Sequence, residues 1–222
     1  VLLERAIPIG LLENAQQLGA RLAQLTAELL VEAMPRIEAT GPGPEAERLA
    51  RLGVQTQSEE GLTYARLLTK DDQTIDWSQS ALAIHRRVMG LYPGAVSSWQ
   101  GKRLKLLATE PLVKRLADQL SPETAGLVAR WAPSLDAARA GESATQTGTE
   151  AGTEAGTESG KAAKAKSLPG TVLEVAPDLG LVVATGGCPV LLREAQLEGK
   201  RASSGQALIQ QLGAKAGDHL GA

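Results

Sequence analysis

The chain has 222 residues, 43% of them hydrophobic, and a formal net charge of −2, which gives material for one or two domains and speaks against a wholesale nucleic-acid coat. One cysteine, Cys188, and two histidines exclude an intrachain disulfide and a Cys/His zinc cluster, and they fit a reducing compartment such as the cytoplasm. No apolar run reaches the ~18 to 20 residues that span a bilayer, and with no Phe, 3 Trp and 2 Tyr the core has to be built from Leu, Val, Ala and Ile.

Val1 to Ile9 reads as a strand met in mid-pattern, and the chain is expected to be a fragment continuing from something upstream. Leu18, Leu22, Leu25 and Leu29 recur at spacings that place them on one stripe of a helix over residues 12–34, which Pro35 should end. Gly41 to Pro44 breaks the pattern, and Glu45 to Gly53 makes at most a short polar helix before a loop through Gly61. Residues 38–63 therefore read as a linker.

Ser78 is the predicted N-cap of a helix through Met89, with Ala81, Ile84 or His85, and Val88 on its buried side. Ala95 to Trp99 and Leu104 to Ala108 then read as paired strands turning at Gln100-Gly101. Residues 112–132 return to helical spacing, with Ser121-Pro122 as a cap followed by proline and Pro133 as a stop. Residues 141–160 repeat Gly-Thr-Glu three times and, with the lysines that follow to residue 166, should form a disordered insertion, because a Gly in every turn costs ~1 kcal/mol each and nothing apolar offsets it. Short strands at Thr171 to Val175, Leu181 to Thr185 and Val190 to Arg193 precede a last helix containing Leu208, Ile209 and Leu212, capped by Ser203 or Ser204 and closed by Gly213. This order predicts an α+β fold whose C-terminal part is a small antiparallel barrel with long loops on its rim.

Chemistry is sparse. The chain has no Gly-x-Gly-x-x-Gly, no phosphate-loop Gly-Lys-Ser/Thr and no His-Glu-x-x-His. Asp71, Asp72 and Asp76 flank a helix start and read as solvated or capping groups rather than metal ligands, His85 as an interfacial side chain, His219 as a residue without a visible partner, and Cys188 as an inert thiol. Charge is the better lead. Residues 1–63 hold 5 basic and 9 acidic side chains, whereas residues 64–122 hold 9 basic and 5 acidic. Arg86-Arg87, Lys102-Arg103-x-Lys105 and Lys200-Arg201 fall on a helix, a hairpin and a loop, and a closed barrel would let them share one face. The plainer reading is scattered solubilising charge. With few large rings for stacking bases, a surface that tracks phosphates is favoured over one that reads bases.

Thr63-Tyr64-Ala65, Ile75-Asp76-Trp77-Ser78, Pro169-Gly170-Thr171-Val172-Leu173, Val183-Ala184-Thr185-Gly186 and Gly199-Lys200-Arg201 stand in an order and spacing that resembles the C-terminal half of the methionyl-tRNA formyltransferase family. The resemblance implies that residues 1–37 are the last strand and helix of a truncated Rossmann-like catalytic domain, 38–63 a linker, and 64–222 an OB-like barrel with flanking helices that binds tRNA, interrupted by an insertion at about 141–166. It further implies formyl transfer from 10-formyltetrahydrofolate to initiator methionyl-tRNA by a cytoplasmic, monomeric enzyme, with the missing N-terminal catalytic domain as this segment's protein partner. The family's Asn-x-His and folate-loop motifs are not in this sequence, so no catalytic, folate-binding or metal residue is assigned, and the segment alone is expected to be inactive. The implied tRNA-binding residues are Lys102, Arg103, Lys105, Lys200 and Arg201, with Arg86 and Arg87 beside them. A related module serving another acceptor or a hydrolase, and a domain that only docks against protein, are the alternatives.

Overall fold

The computed structural model describes residues 1–131 and 167–221, and the expected disordered tract at 141–166, like the expected stop at Pro133, lies outside the described residues. The chain divides into two compact units, Val1–Thr69 and Lys70–Ala222.

The first unit is helix and loop. Helix α1 (Ala15–Ala39) starts at a capping box, in which the Asn14 side chain accepts from the Gln17 N–H and the Gln17 side chain accepts from the Asn14 N–H, each at 2.9 Å. Pro35 does not end it. The ring removes one N–H donor, but residues 36–39 stay helical and Thr40 closes the last turn, its hydroxyl donating to the Ile37 carbonyl at 2.7 Å. Leu18, Leu25 and Leu29 are half-buried on the expected stripe while Leu22 is exposed, and no residue of α1 is buried. Helix α2 (Glu45–Leu52) is the short polar helix expected, ended by Gly53 in the left-handed conformation at φ 65°. The strand expected over Val1 to Ile9 is not formed. Those residues carry no regular structure, and Val1 pairs through its backbone with Gln55; a strand persists only as part of a ladder, and this unit holds no sheet to receive it.

The second unit is built on a six-stranded antiparallel sheet. Its elements are α3 (Lys70–Gln73), α4 (Ala81–Gly90), β1 (Val96–Trp99), β2 (Lys102–Pro111), a 3-10 helix (Lys114–Gln119), α5 (122–131), β3 (Val172–Ala176), β4 (Gly180–Val183), β5 (Val190–Leu197), β6 (Ser203–Ser204) and α6 (Gly205–Leu212). The strands are ordered β1-β2-β5-β4-β3, with β6 on β5. Gln100 and Gly101, at φ 50° and 75°, make the tight β1–β2 turn that the sequence announces. The chain segment at 217–221 is hydrogen-bonded to both edge regions: Gly221 N–H donates to Ser98 O and Leu220 N–H to Gly170 O, while Val172 N–H donates to Asp218 O.

Helix α4 begins two residues later than expected. Ser80 is the N-cap, its hydroxyl accepting from Ala83 N–H, because Asp76 engages Ser78 instead, through both its N–H and its hydroxyl. The buried side of α4 is the predicted one, with Ala81, Ile84, His85 and Val88 all buried, and His85 Nδ1 lies 3.0 Å from Thr109 Oγ1 of β2. Ile84 and Val88 join Leu104, Leu106, Leu181, Leu192, Leu208 and Trp99 in one core. The excursion after β2 is tied to the sheet by charge. Buried Glu110 accepts from Ser121 N–H and Oγ–H and from Arg193, and Glu174 of β3 accepts from Arg130 and from the Trp131 indole of α5.

Candidate nucleic-acid interface

Antiparallel pairing decides where the basic residues meet. Leu104 of β2 is opposite Leu197 of β5, and Lys105 is opposite Gln196, so the start of β2 and the end of β5 lie side by side. Lys102 and Arg103 sit at that start, and Lys200 and Arg201 follow that end. Lys200 N–H donates to Leu197 O across a turn in which Gly199 takes φ 74°. That conformation strains any residue with a Cβ, and it returns the chain towards β6 with the two basic residues at the turn. Gln196 crosses from beside Lys105 to donate to the Lys200 carbonyl at 2.9 Å.

Lys102, Arg103, Lys200 and Arg201 are exposed and Lys105 is half-buried. One carboxylate is set among them: Glu198 accepts from the Arg103 N–H at 3.2 Å and donates its own N–H to the Arg103 carbonyl at 2.9 Å. Five cationic side chains against that one carboxylate leave an excess of positive charge at this end of the β2–β5 pair. Arg86 and Arg87 stand exposed on α4. Arg87 is occupied with fold, since Nε and Nη2 both donate to the Asp72 carbonyl, at 2.9 and 2.7 Å.

Beside the hairpin a cleft of about 610 Å³ is walled by residues 74–78, by β1, by Lys102 and Arg103, and by His219 to Gly221. Asp76 accepts from Ser78 and from Gln79 Nε2 at the rim, and these hydrogen bonds, led by the Ser78 hydroxyl, hold its carboxyl below the usual carboxylate range. The Asp-x-Ser spacing could have announced this turn. Trp77 Nε1–H donates to Ser97 Oγ at 3.0 Å under the cleft. His219, expected to lack a partner, donates from Nε2 to the Pro169 carbonyl at 2.9 Å; nothing local in the sequence signals a contact over that separation. Burial pushes the Cys188 thiol up from its ordinary value, partly opposed by a backbone hydrogen bond and by Arg115. Among the described residues no group of three or more His, Cys, Asp or Glu is placed to hold a metal ion, and no helix is long and apolar enough to cross a membrane.

The family profile described as formyl transferase, C-terminal domain, matches residues 67–135 and 143–213. The chain is 59% identical over 212 residues to a methionyl-tRNA formyltransferase of Synechococcus sp. (strain RCC307), covering 96% of this chain and 54% of that protein. It is 55% identical over 221 residues to proteins of the same name from Synechococcus sp. (strain WH7803) and Parasynechococcus marenigrum (strain WH8102), covering 100% of this chain and 55% and 56% of those proteins. The chain thus spans about half the length of the curated relatives it matches. Because the profile takes in more than half of its residues, the chain belongs to the formyl transferase C-terminal domain family.

Proposed function

We propose that this chain is the tRNA-holding part of a methionyl-tRNA formyltransferase. Residues 64–222 hold the initiator tRNA, residues 38–63 link, and residues 1–37 complete a Rossmann-like catalytic body. The observation that carries the reading is the gathering of Lys102, Arg103, Lys105, Lys200 and Arg201 at one end of the β2–β5 pair in a domain of this family. The sheet is best described as an OB-like barrel, with the segment at 217–221 bridging its edges. The formyl donor, 10-formyltetrahydrofolate, is a substrate bound outside this segment, and the enzyme acts as a cytoplasmic monomer.

The segment's contribution is positioning. Holding the tRNA body by its phosphates presents the aminoacyl end to a donor held elsewhere, and turns a two-body encounter into an oriented one. Exposed apolar residues in the first unit, among them Leu30, Val31 and Met34, support its docking against a further protein body. The test is tRNA binding measured across a series of salt concentrations. Removing a single cation–phosphate pair lowers the slope of log affinity against log salt by ~0.7 to 0.9, so Lys200→Ala with Arg201→Ala should weaken binding and flatten that slope by ~1.5. An unchanged slope and affinity would remove these residues from the interface.

A further inference from the structure

We propose that the cleft beside the β1–β2 hairpin is a subsite for one unpaired nucleotide, with its phosphate on Lys102 and Arg103 and its base on the His219 ring; this deepens the tRNA reading and rests on it. Register places the groups on one face. Ser98 is opposite Arg103 across β1–β2, and Leu220 is opposite Trp99 on the other edge of β1, so Gly221 falls beside Ser98 and its N–H donates to the Ser98 carbonyl at 3.0 Å. Residues opposite each other, and residues two apart along one extended segment, point to the same side. His219, adjacent to Leu220, therefore shares a face with Ser98 and Arg103 and lines the cleft with them, while Lys102, opposite Trp99 and so alternating to the other face, lines it from the exposed hairpin end. His219 and Arg103 are two inter-strand spacings apart across the sheet and two residues offset along it, ~12 Å between backbones, a span that one nucleotide and an extended arginine side chain can bridge.

Polarity sets the direction in which the nucleotide lies. The cationic groups stand at the hairpin end, while Asp76, held ionised by Ser78 and Gln79, borders the same space. A phosphate is drawn to the first and repelled by the second, whereas sugar hydroxyls and base amino groups can donate to a carboxylate. His219 supplies the ring. It is exposed, and its Nε2–H is fixed on the Pro169 carbonyl, so the ring is pre-positioned at small entropic cost; His is among the side chains on which splayed-out RNA bases stack. The walls are closely packed as well. A Cβ on Gly221 would meet the Trp77 ring at 3.1 Å and one on Gly170 the Leu220 carbonyl at 2.5 Å, so both close approaches depend on glycine.

The test is an NMR titration of the isotope-labelled chain with adenosine monophosphate and with adenosine, alongside tRNA retention by the same preparation. The nucleotide should move the resonances of Ser98, Arg103 and His219 together, and adenosine should bind more weakly. His219→Gln keeps a donor for Pro169 but removes the ring, and should lower nucleotide affinity about fivefold or more. Lys102→Ala with Arg103→Ala should abolish the advantage of nucleotide over nucleoside. Shifts that are absent or confined to other residues, or unaltered affinity in His219→Gln, overturn the subsite. If tRNA is retained while the cleft ignores the nucleotide, the subsite falls and the tRNA reading stands. If the cleft binds the nucleotide but tRNA is not retained, the subsite stands and the tRNA reading falls.

Discussion

Leu181, Leu192 and Leu208 are fully buried in the unit from Lys70 onward, whereas Leu30, Val31 and Met34 on α1 of the other unit stand 57%, 76% and 60% exposed. The same aliphatic residue types serve two ends. In the second unit they join one core that runs from Ile75 to Leu220, which is what a self-supporting domain requires. In the first, α1 rests on its capping box and on exposed ion pairs, Arg5 with Glu28 and Glu32 and Arg36 with Glu32, each worth ~1 kcal/mol or less. Helices of this kind gain most of their stability by packing an apolar face, and the exposed side chains of α1 are available for that.

The widest separation between the units should come from matched truncations. Leu181→Ala should cost about 2–5 kcal/mol and Val31→Ala about 0.5 kcal/mol or less, read as the shift of the denaturant midpoint at constant m-value. Similar costs would erase the distinction. Next come two glycines, for which opposite signs are expected. A Cβ on Gly186 would overlap the Ser78 carbonyl, in the loop whose Gly186 N–H donates to the Trp77 and Gln79 carbonyls, so Gly186→Ala should destabilise by about 1–3 kcal/mol. Gly19 lies within α1 and a Cβ there would meet nothing within 4 Å, so Gly19→Ala should stabilise that helix by up to about 1 kcal/mol. Thermal unfolding and helical circular dichroism of the two variants check both signs.

The smallest effect is on pH dependence. Asp76 has its carboxyl pKa lowered in the folded chain by Ser78 and Gln79, so its contribution is present above the unfolded pKa and is lost as pH falls through the folded one. Replacing it by Asn should flatten the acid limb of stability slightly, below about pH 4, while leaving the neutral region parallel to the wild type; an identical acid limb would show that the turn contributes nothing.

Much of the second unit is legible in the sequence because its signals are local. The Gln100-Gly101 turn, the buried stripe on α4 and the Ser121-Pro122 start of α5 each depend on residues within a turn or two of one another. Structure and expectation part where two local rules compete. Ser78 is a competent cap, but Asp76 takes it into its own turn and leaves the cap to Ser80; Pro35 breaks helices by rule, yet α1 runs on through it to Ala39. The site is half legible. Its basic residues are visible as short clusters, but the adjacency of Lys102-Arg103 to Lys200-Arg201 is a property of β2–β5 register, and the seating of His219 against Pro169 is set by long-range pairing that no nearby residue encodes.

The most direct measurement compares matched charge removals in the two units by tRNA binding over a salt series. Lys102→Ala with Arg103→Ala removes charge from the β2–β5 end, and Arg36→Ala with Arg51→Ala removes the same charge from exposed positions of the first unit. If the basic end of the second unit holds the phosphates, the first pair should flatten the slope by ~1.5 and weaken binding while the second leaves the slope unchanged. Equal flattening by both pairs, or none by the first, would contradict it.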